Sequence, residues 1–187
     1  MNKLTIFFFV CISFNVNSQT WEDMLNETTV APSKKPVYYN LHRGITKAAK
    51  KYHLDENFIA AILMNESSAR PCVISNALAG GLMQLMPATA KELKVKDRFN
   101  PSSNIDGGSR YLSRLLKKSK GDIYLAAALY NYGGRALYKP INKWPKETIL
   151  YVGKYLPRRL NSFKKHSWRA IVPKYIRDTN AAICQFG

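Results

Sequence analysis

Acidic residues are the scarce class in this 187-residue chain, with 12 Asp plus Glu against 29 Lys plus Arg and a formal net charge of +17. That imbalance points to an anionic partner: nucleic acid, anionic lipid or an acidic polymer of a cell envelope. Long apolar runs are missing too. None reaches the roughly 18 residues that span a bilayer, which excludes stable membrane insertion of the mature chain. No segment alternates convincingly between apolar and polar residues and no internal repeat is visible, so neither a sheet protein nor a solenoid is expected. The three histidines, His42, His53 and His166, have no ligand spacing with one another or with the three cysteines, and there is no phosphate loop. No metal site and no cofactor are expected. What is present is 46% hydrophobic and 12% aromatic residues spread along the whole length. This excludes a wholly disordered chain and suits one domain of ordinary size.

The first residues read as a cleavable export signal. Lys3 supplies the positive start, Leu4 to Phe14 is an almost unbroken apolar stretch, and Val16-x-Ser18 places small residues before a cut at Gln19. The expected location is therefore the periplasm or the outside of the cell, which argues against nucleic acid as the partner. Cys11 leaves with residues 1–18, so the mature chain keeps an even pair, Cys72 and Cys184. In an oxidising compartment that pair suggests a disulfide, with two unlinked thiols as the alternative. The bond would close a loop of about 110 residues and stabilise the fold by roughly 4–5 kcal/mol in the chain-entropy picture.

Residues 19–40 mix polar residues with Pro32 and Pro36 and read as an irregular lead-in or tether. From Leu41 the pattern turns helical: Leu41, Ile45, Ala48, Ala49 and Tyr52 share one face. Asp55 is placed to cap a second helix with Phe58, Ile59, Ile62 and Leu63 as its apolar stripe. Arg70 to Gly80 reads as a loop. Pro87 splits the following stretch into a turn and a short helix with proline in its first turn. Asn100-Pro101 opens a longer helix that closes at Lys117-Lys118, Asp122 caps another that ends before Gly133, and a last one runs from Lys146 to Leu156, where Pro157 is expected to break it. The fold class is mainly α, with residues 41–156 as the domain. Residues 157–187 form a basic extension, packed on the domain or trailing from it. Overlapping its start, Lys154 to Arg177 carries eight Lys or Arg and no acid. That run is either a solvated positive face or a holder of anionic polymer or of an acidic partner.

With so few acids, each one is informative. Glu66 follows the apolar run Phe58 to Met64 and so projects from the end of a buried helix toward the next loop. A carboxyl held there loses solvation, its pKa rises, and at neutral pH it can donate a proton to a leaving oxygen, as the general acid of glycosidic cleavage does; on these residues alone, a solvated glutamate at a helix end is the simpler reading.

The residues around it form four ordered blocks. Glu66-Ser67 is followed by Pro71, Ser75 and the run Gly81-Leu82-Met83-Gln84-Leu85-Met86-Pro87-Ala88-Thr89-Ala90; next come Asn100-Pro101, Asn104-Ile105, Gly108, Tyr111-Leu112 and Leu115; then Tyr130-Asn131 with Gly133; and last Glu147-Thr148-x-x-Tyr151-Val152. Over Leu41 to Leu156 this resembles the soluble lytic transglycosylase family, enzymes that cut peptidoglycan. The resemblance implies a lysozyme-like, mainly α fold with a glycan-binding groove and one catalytic carboxylate, mapping onto Glu66. It also implies the reaction. The glutamate protonates the oxygen leaving from N-acetylmuramic acid and then acts as base on the sugar's own 6-hydroxyl, giving a 1,6-anhydro sugar without consuming water.

The same resemblance assigns supporting roles. Ser75 would face the reacting sugar, or else be a turn hydroxyl; Ser67 would support the backbone; Gly81 would let backbone approach the ligand; Met83 and Gln84 would line the groove. Leu82, Leu85 and Met86 read as core. Tyr130 and Asn131 would be the aromatic and amide pair that packs on sugar and fixes an N-acetyl or hydroxyl group, and Tyr151 would hydrogen-bond the catalytic glutamate. Glu147, at a helix start, is assigned to substrate positioning or structure rather than to nucleophilic attack. Ala69, Arg70, Leu78, Tyr132 and Gly134 depart from the family's pattern, with Leu78 in place of a common glycine, and this bears on subsite preference. Cys72 lies in this departing loop, so a bond to Cys184 would hold the C-terminal tail against the groove. The implied partners are peptidoglycan glycan strands and, by the chain's small size, a secretion or conjugation apparatus. A lysozyme-type muramidase on the same fold and a non-catalytic peptidoglycan-binding assembly protein remain as alternatives. The hydrolase would call for a second acid, and only Glu147 is placed to serve.

Overall fold

The computed structural model of the chain describes residues 36–185. The expected export segment 1–18, Cys11 and the lead-in up to residue 35 lie outside the described residues. The described residues are mainly helical, as expected. The order is β1 (Tyr38–Asn40), α1 (Leu41–Tyr52), α2 (Glu56–Ser67), α3 (Pro87–Glu92), α4 (Pro101–Lys118), α5 (Ile123–Tyr132), two short 3-10 turns, α6 (Lys146–Leu150), a π turn (Tyr151–Tyr155), α7 (Leu156–His166), α8 (Trp168–Ile171), β2 (Tyr175–Arg177) and α9 (Ala181–Gln185). Among the described residues no helix is long and apolar enough to cross a membrane.

The helix starts follow from side chains that accept the orphan amides of a first turn. Asn40 accepts from Arg43 N at 2.9 Å, Asp55 from Asn57 N at 2.6 Å, Asn100 from Ser103 N at 3.0 Å and Asp122 from Tyr124 N at 2.8 Å. The α2 helix is central. Every residue from Phe58 to Met64 is buried, so the apolar surface runs around the helix rather than along one stripe, and neighbours cover it on all sides. The neighbours are α1 on one side and α7 on another, while α4 packs between α1 and α5. Their inward residues, such as Ile45, Ile105, Leu112 and Leu129, join α2 in one continuous core. Truncating a fully buried member such as Leu63 to alanine would cost about 2–5 kcal/mol.

Two expectations need correction here. Pro157 does not break the helix. The backbone passes from α6 through the π turn into α7, with the Leu156 amide donating to the Tyr151 carbonyl five residues back. A π turn widens the coil immediately ahead of the proline, where a tight α turn would set the ring against the preceding carbonyl. The lead-in, expected to be irregular through residue 40, ends in the strand β1, and the C-terminal region, whose structure the sequence left open, supplies its partner. β2 pairs antiparallel with β1, Tyr39 opposite Ile176, and Phe163, Trp168, Val172 and Ile176 enter the same core as α1 and α2. The basic residues between them point mostly outward. Arg169 is an exception, gripping Glu56 at 2.9 Å and Thr46 at 2.8 Å.

The tail is fastened a second time at α9. Cys184 is disulfide-bonded to Cys72, Ala181 N donates to Asp97 Oδ2 at 3.0 Å, and the buried Thr179 hydroxyl donates to the Phe99 carbonyl at 2.6 Å. These bonds attach the end of the chain to the 70–80 loop and to the segment before α4. Within that loop Leu78 takes φ +66°, the left-handed region that costs a branched residue about 1 kcal/mol and glycine almost nothing. This accounts physically for the glycine that the family pattern prefers there.

Candidate active site

The α2 helix ends at Ser67, and Ser68 and Ala69 turn left-handed at φ +52° and +63°, so the chain leaves the helix sharply just beyond Glu66. The glutamate is carried on the most buried helix of the fold and aimed out of its end. The residue keeps some solvent contact while protein surrounds the acid group closely. Its pKa is raised from 4.5 to about 7, chiefly by burial; a hydrogen bond from Tyr151 pulls the other way, and the charge of Glu147 adds to the rise. Near neutrality the group is therefore divided between acid and carboxylate, which suits one residue that must first give a proton and then take one.

Tyr151 is supplied by the first residue of the π turn. Its hydroxyl donates to Glu66 Oε1 at 2.6 Å. The Tyr151 ring is buried, and burial followed by the Glu66 charge holds its own pKa well above the usual tyrosine value, so it stays a donor. Tyr130 is similar. Burial is again the main cause of its raised pKa, with the Glu66 charge adding to it, and its hydroxyl donates to the Met83 carbonyl at 2.8 Å. The Tyr130 ring lies 5.4 Å from that of Tyr111. Together with Gln84, Met86, Asn131 and Tyr132 these rings line a cleft of about 360 Å³. Size and lining suit a sugar-scale ligand: aromatic faces for packing and amides for hydrogen bonds.

Asn131 links this cleft to the second acid. Its carbonyl oxygen accepts from the buried Thr148 hydroxyl at 2.7 Å, which orients the side chain so that its NH2 donates to Glu147 Oε1 at 3.4 Å. Glu147 itself is exposed. The structure thus brings Glu66, Tyr151, Tyr130, Asn131 and Glu147 to one neighbourhood, with Gln84 on the wall of the cleft.

Other residues sit differently from expectation. Met83 does not line the groove: its side chain is fully buried, sunk against Gly108, where any Cβ would collide with it. Met86, expected in the core, is 43% exposed and lines the cleft instead. The two methionines exchange roles because Met83 lies over α4, whereas Met86 precedes the proline that starts α3 and is turned outward. Gly81 does permit a close backbone approach at φ +82°, but the approaching groups are the Arg98 carbonyl and the Asn104 amide rather than a ligand. Ser75 serves its turn: its hydroxyl accepts from Ala79 N at 3.0 Å. Ser67 braces the backbone by donating to the Leu82 carbonyl at 2.7 Å. The Gln84 amide also faces protein, donating to the Val73 and Gly81 carbonyls at 2.9 Å each.

Asn104 has a role that the sequence reading did not assign. Fully buried on α4, it accepts from Met83 N at 2.7 Å and donates to the Gly80 and Arg98 carbonyls at 3.0 and 2.7 Å. It is the clamp that fixes the 80–84 wall relative to Glu66. The available signal was a lone amide on an otherwise apolar helix face, adjacent to Ile105. Among the described residues no cluster of His, Cys, Asp or Glu could hold a metal ion, and His42 instead packs edge-on against Trp168 and bonds the Val172 carbonyl.

Comparison with known proteins agrees with this architecture. The transglycosylase SLT domain family matches residues 43–149. A transglycosylase of Enterobacteria phage PRD1 is 35% identical over 129 residues, covering 69% of this chain and 46% of its own. The membrane-bound lytic murein transglycosylase C of Actinobacillus succinogenes is 31% identical over 134 residues, 62% of this chain and 37% of its own. The chain thus spans less than half the length of these curated relatives. In three dimensions it resembles an inactive glutamate-to-glutamine mutant of the lytic transglycosylase Slt from Pseudomonas aeruginosa. The TM-score is 0.60 and the identity 26%, over 86% of this chain and 29% of that one. The fold is also that of the 70 kDa soluble lytic transglycosylase of Escherichia coli, at TM-score 0.58 and 21% identity, over 73% of this chain and 26% of that one.

Proposed function

Because the chain belongs to the transglycosylase SLT domain family, we propose that it is a peptidoglycan lytic transglycosylase in which Glu66 acts first as acid and then as base. The observation that carries this reading is the Glu66 carboxyl near the end of a helix buried from Phe58 to Met64, with a pKa of about 7 and a tyrosine donor on one oxygen. Protonated, Glu66 gives its proton to the glycosidic oxygen between N-acetylmuramic acid and N-acetylglucosamine as the C1–O bond breaks. The resulting carboxylate takes the proton of the muramoyl 6-hydroxyl, whose oxygen closes onto C1 as a 1,6-anhydro ring. The proton returns to where it started and no water enters. Tyr151 fits both halves, stabilising the carboxylate while it exists and fixing the oxygen that reacts. Tyr130, Asn131 and the cleft they line would hold the sugar.

The positive charge and the export signal read at residues 1–18 support action on the anionic wall outside the cytoplasm, in the periplasm or beyond it. Local opening of the wall for a secretion or conjugation apparatus is the role we propose. The hydrolytic alternative is disfavoured by the second acid: Glu147 is exposed and tied to Asn131. Clearance of purified sacculi tests the assignment. The protein should clear them, Glu66→Gln should not, and Glu147→Gln should retain activity. Equal loss in both variants would favour a two-acid hydrolase, and no clearance by any of them would favour a binding role.

A further inference from the structure

Residues 138–146 make an exposed elbow that leads into α6. Their sequence, Tyr-Lys-Pro-Ile-Asn-Lys-Trp-Pro-Lys, intersperses apolar side chains with lysines and contains no acid. Tyr138 is 82% and Ile141 63% exposed. Ile141 is not isolated, for with Tyr124, Leu125, Pro140, Trp144 and Val152 it lines an apolar groove of about 350 Å³. Contiguous apolar surface with a polar rim marks a contact site, whereas single exposed apolar residues need no explanation. The elbow is held in shape from within. Trp144 Nε1 donates to the Lys139 carbonyl at 2.9 Å, Trp144 N to the Ile141 carbonyl at 3.0 Å and Tyr138 N to the Arg135 carbonyl at 3.2 Å. The rim is cationic. Lys139, Lys143 and Lys146 are exposed, and none forms an ion pair among the described residues. The acids at the two ends of this stretch are engaged with α5: Asp122 caps its first turn, and Glu147 accepts from Asn131.

We propose that this elbow rests on the surface of an anionic phospholipid bilayer, with Tyr138 and Ile141 entering the headgroup region and the three lysines meeting lipid phosphates. A bilayer interface offers apolar depth beneath a layer of negative charge, and aromatic residues and lysine are the side chains that settle there, the ring or stem in the apolar part and the polar end in the wet one. A protein partner would have to set carboxylates against three lysines spaced along the elbow and apolar groups between them, whereas a bilayer supplies both without matched shape. The attachment is peripheral: among the described residues no helix is long and apolar enough to cross a membrane, and one elbow of this size gives reversible binding. Arg135, just before the elbow, lines the sugar cleft, so a bound molecule presents that cleft to the strands nearest the membrane. That consequence rests on the transglycosylase reading; the binding itself does not.

The test is co-sedimentation of the exported form, residues 19–187, with vesicles at physiological salt; leaving out residues 1–18 keeps the apolar export segment from binding lipid itself. Vesicles of equal parts phosphatidylglycerol and phosphatidylcholine should bind the protein about ten-fold more tightly than phosphatidylcholine alone. Tyr138→Ser with Ile141→Ser should weaken binding to the anionic vesicles about ten-fold. Lys139→Gln with Lys143→Gln should do the same, while Lys164→Gln with Lys165→Gln, an equal loss of charge on exposed positions of α7, should change it less than about two-fold. The proposal is overturned if the anionic vesicles do not bind, which would leave the elbow to a protein partner. It is overturned equally if the Tyr138 and Ile141 variant binds as the native protein does, or if the α7 pair matters as much as the elbow pair, since either would reduce the binding to diffuse attraction by a positive chain. Clearance of free sacculi by the Tyr138 and Ile141 variant should match that of the native protein; a loss there would put the elbow in the glycan groove and also overturn the proposal. Failure of the transglycosylase reading shows separately, in sacculi that the native protein leaves uncut while vesicle binding persists.

Discussion

The Tyr151 hydroxyl donates to Glu66 Oε1 over 2.6 Å, joining residues 85 positions apart in the chain. Each end of that bond is made possible by an irregularity. The Glu66 end depends on the left-handed turn at Ser68 and Ala69, the Tyr151 end on a π turn where the sequence suggested an ordinary α-helix. π turns recur where a helix must re-aim a side chain, and this one turns Tyr151 toward the acid.

The opposing influences on Glu66 separate in a pH profile. With the acid at about 7, kcat/KM for sacculus cleavage should fall as pH rises above neutrality. Tyr151→Phe removes the bond that favours the carboxylate, so the alkaline limb should move to higher pH while the maximal rate drops. Glu147→Gln removes a negative charge that disfavours the carboxylate, so the limb should move to lower pH, and less so at high salt because Glu147 is exposed. Shifts of the same sign in both variants would contradict the origin given to the raised pKa.

The raised pKa has a cost in stability. A carboxyl whose pKa is higher folded than unfolded contributes its full stabilisation below the unfolded value of 4.5 and loses it as pH rises through about 7. At about 1.4 kcal/mol per pH unit, the change across that window is about 3 kcal/mol. Glu66→Gln should therefore be more stable than the native protein above neutrality, and this advantage should shrink toward about pH 4. Urea unfolding at the two extremes measures it, and a pH-independent difference would count against a buried, titrating Glu66.

Asn104 offers a test of positioning without chemistry. Asn104→Ala strands the Met83 amide and leaves the Gly80 and Arg98 carbonyls without their amide donor, so stability should fall by about 3 kcal/mol or more. Cleavage should fall as well, since the 80–84 wall of the cleft loses its anchor. A variant of native stability by thermal unfolding would remove the clamp from the account.

The Cys72–Cys184 bond spans 112 residues, and its loss should cost up to about 4–5 kcal/mol in the chain-entropy picture. Thiol labelling of the native protein before and after reduction, followed by thermal unfolding, checks both the bond and its worth. Two thiols that label without reductant would contradict it.

The helices were largely legible because their starts are written in side chains. Asp55, Asn100 and Asp122 cap as expected, and Gly133 ends α5. The two strands were not legible: three residues each, 135 or more positions apart in their pairing, they are too short to show alternation. Pro157 misled because a proline marks a helix end only where the preceding turn is α, and here it is π. At the site, the apolar run singled Glu66 out but on its own suited a solvated glutamate at a helix end equally well; the family resemblance gave it the acid's role and supplied Tyr130, Asn131 and Tyr151. Met83, given to the groove by the family resemblance, and Met86, read as core, exchanged places because tertiary neighbours such as Gly108 decide which side chain in a loop sinks. Asn104 was passed over because its three partners come from the Gly80 to Met83 turn and the Arg98 loop, which no local pattern connects to it.

The most direct test of the central claim is mass spectrometry of the soluble products released from isolated sacculi in heavy-oxygen water, with Glu66→Gln in parallel. The account predicts 1,6-anhydro products, one water lighter than their reducing counterparts and free of the label, and none from the variant. Labelled reducing-end sugars, or anhydro products that persist without Glu66, would contradict it.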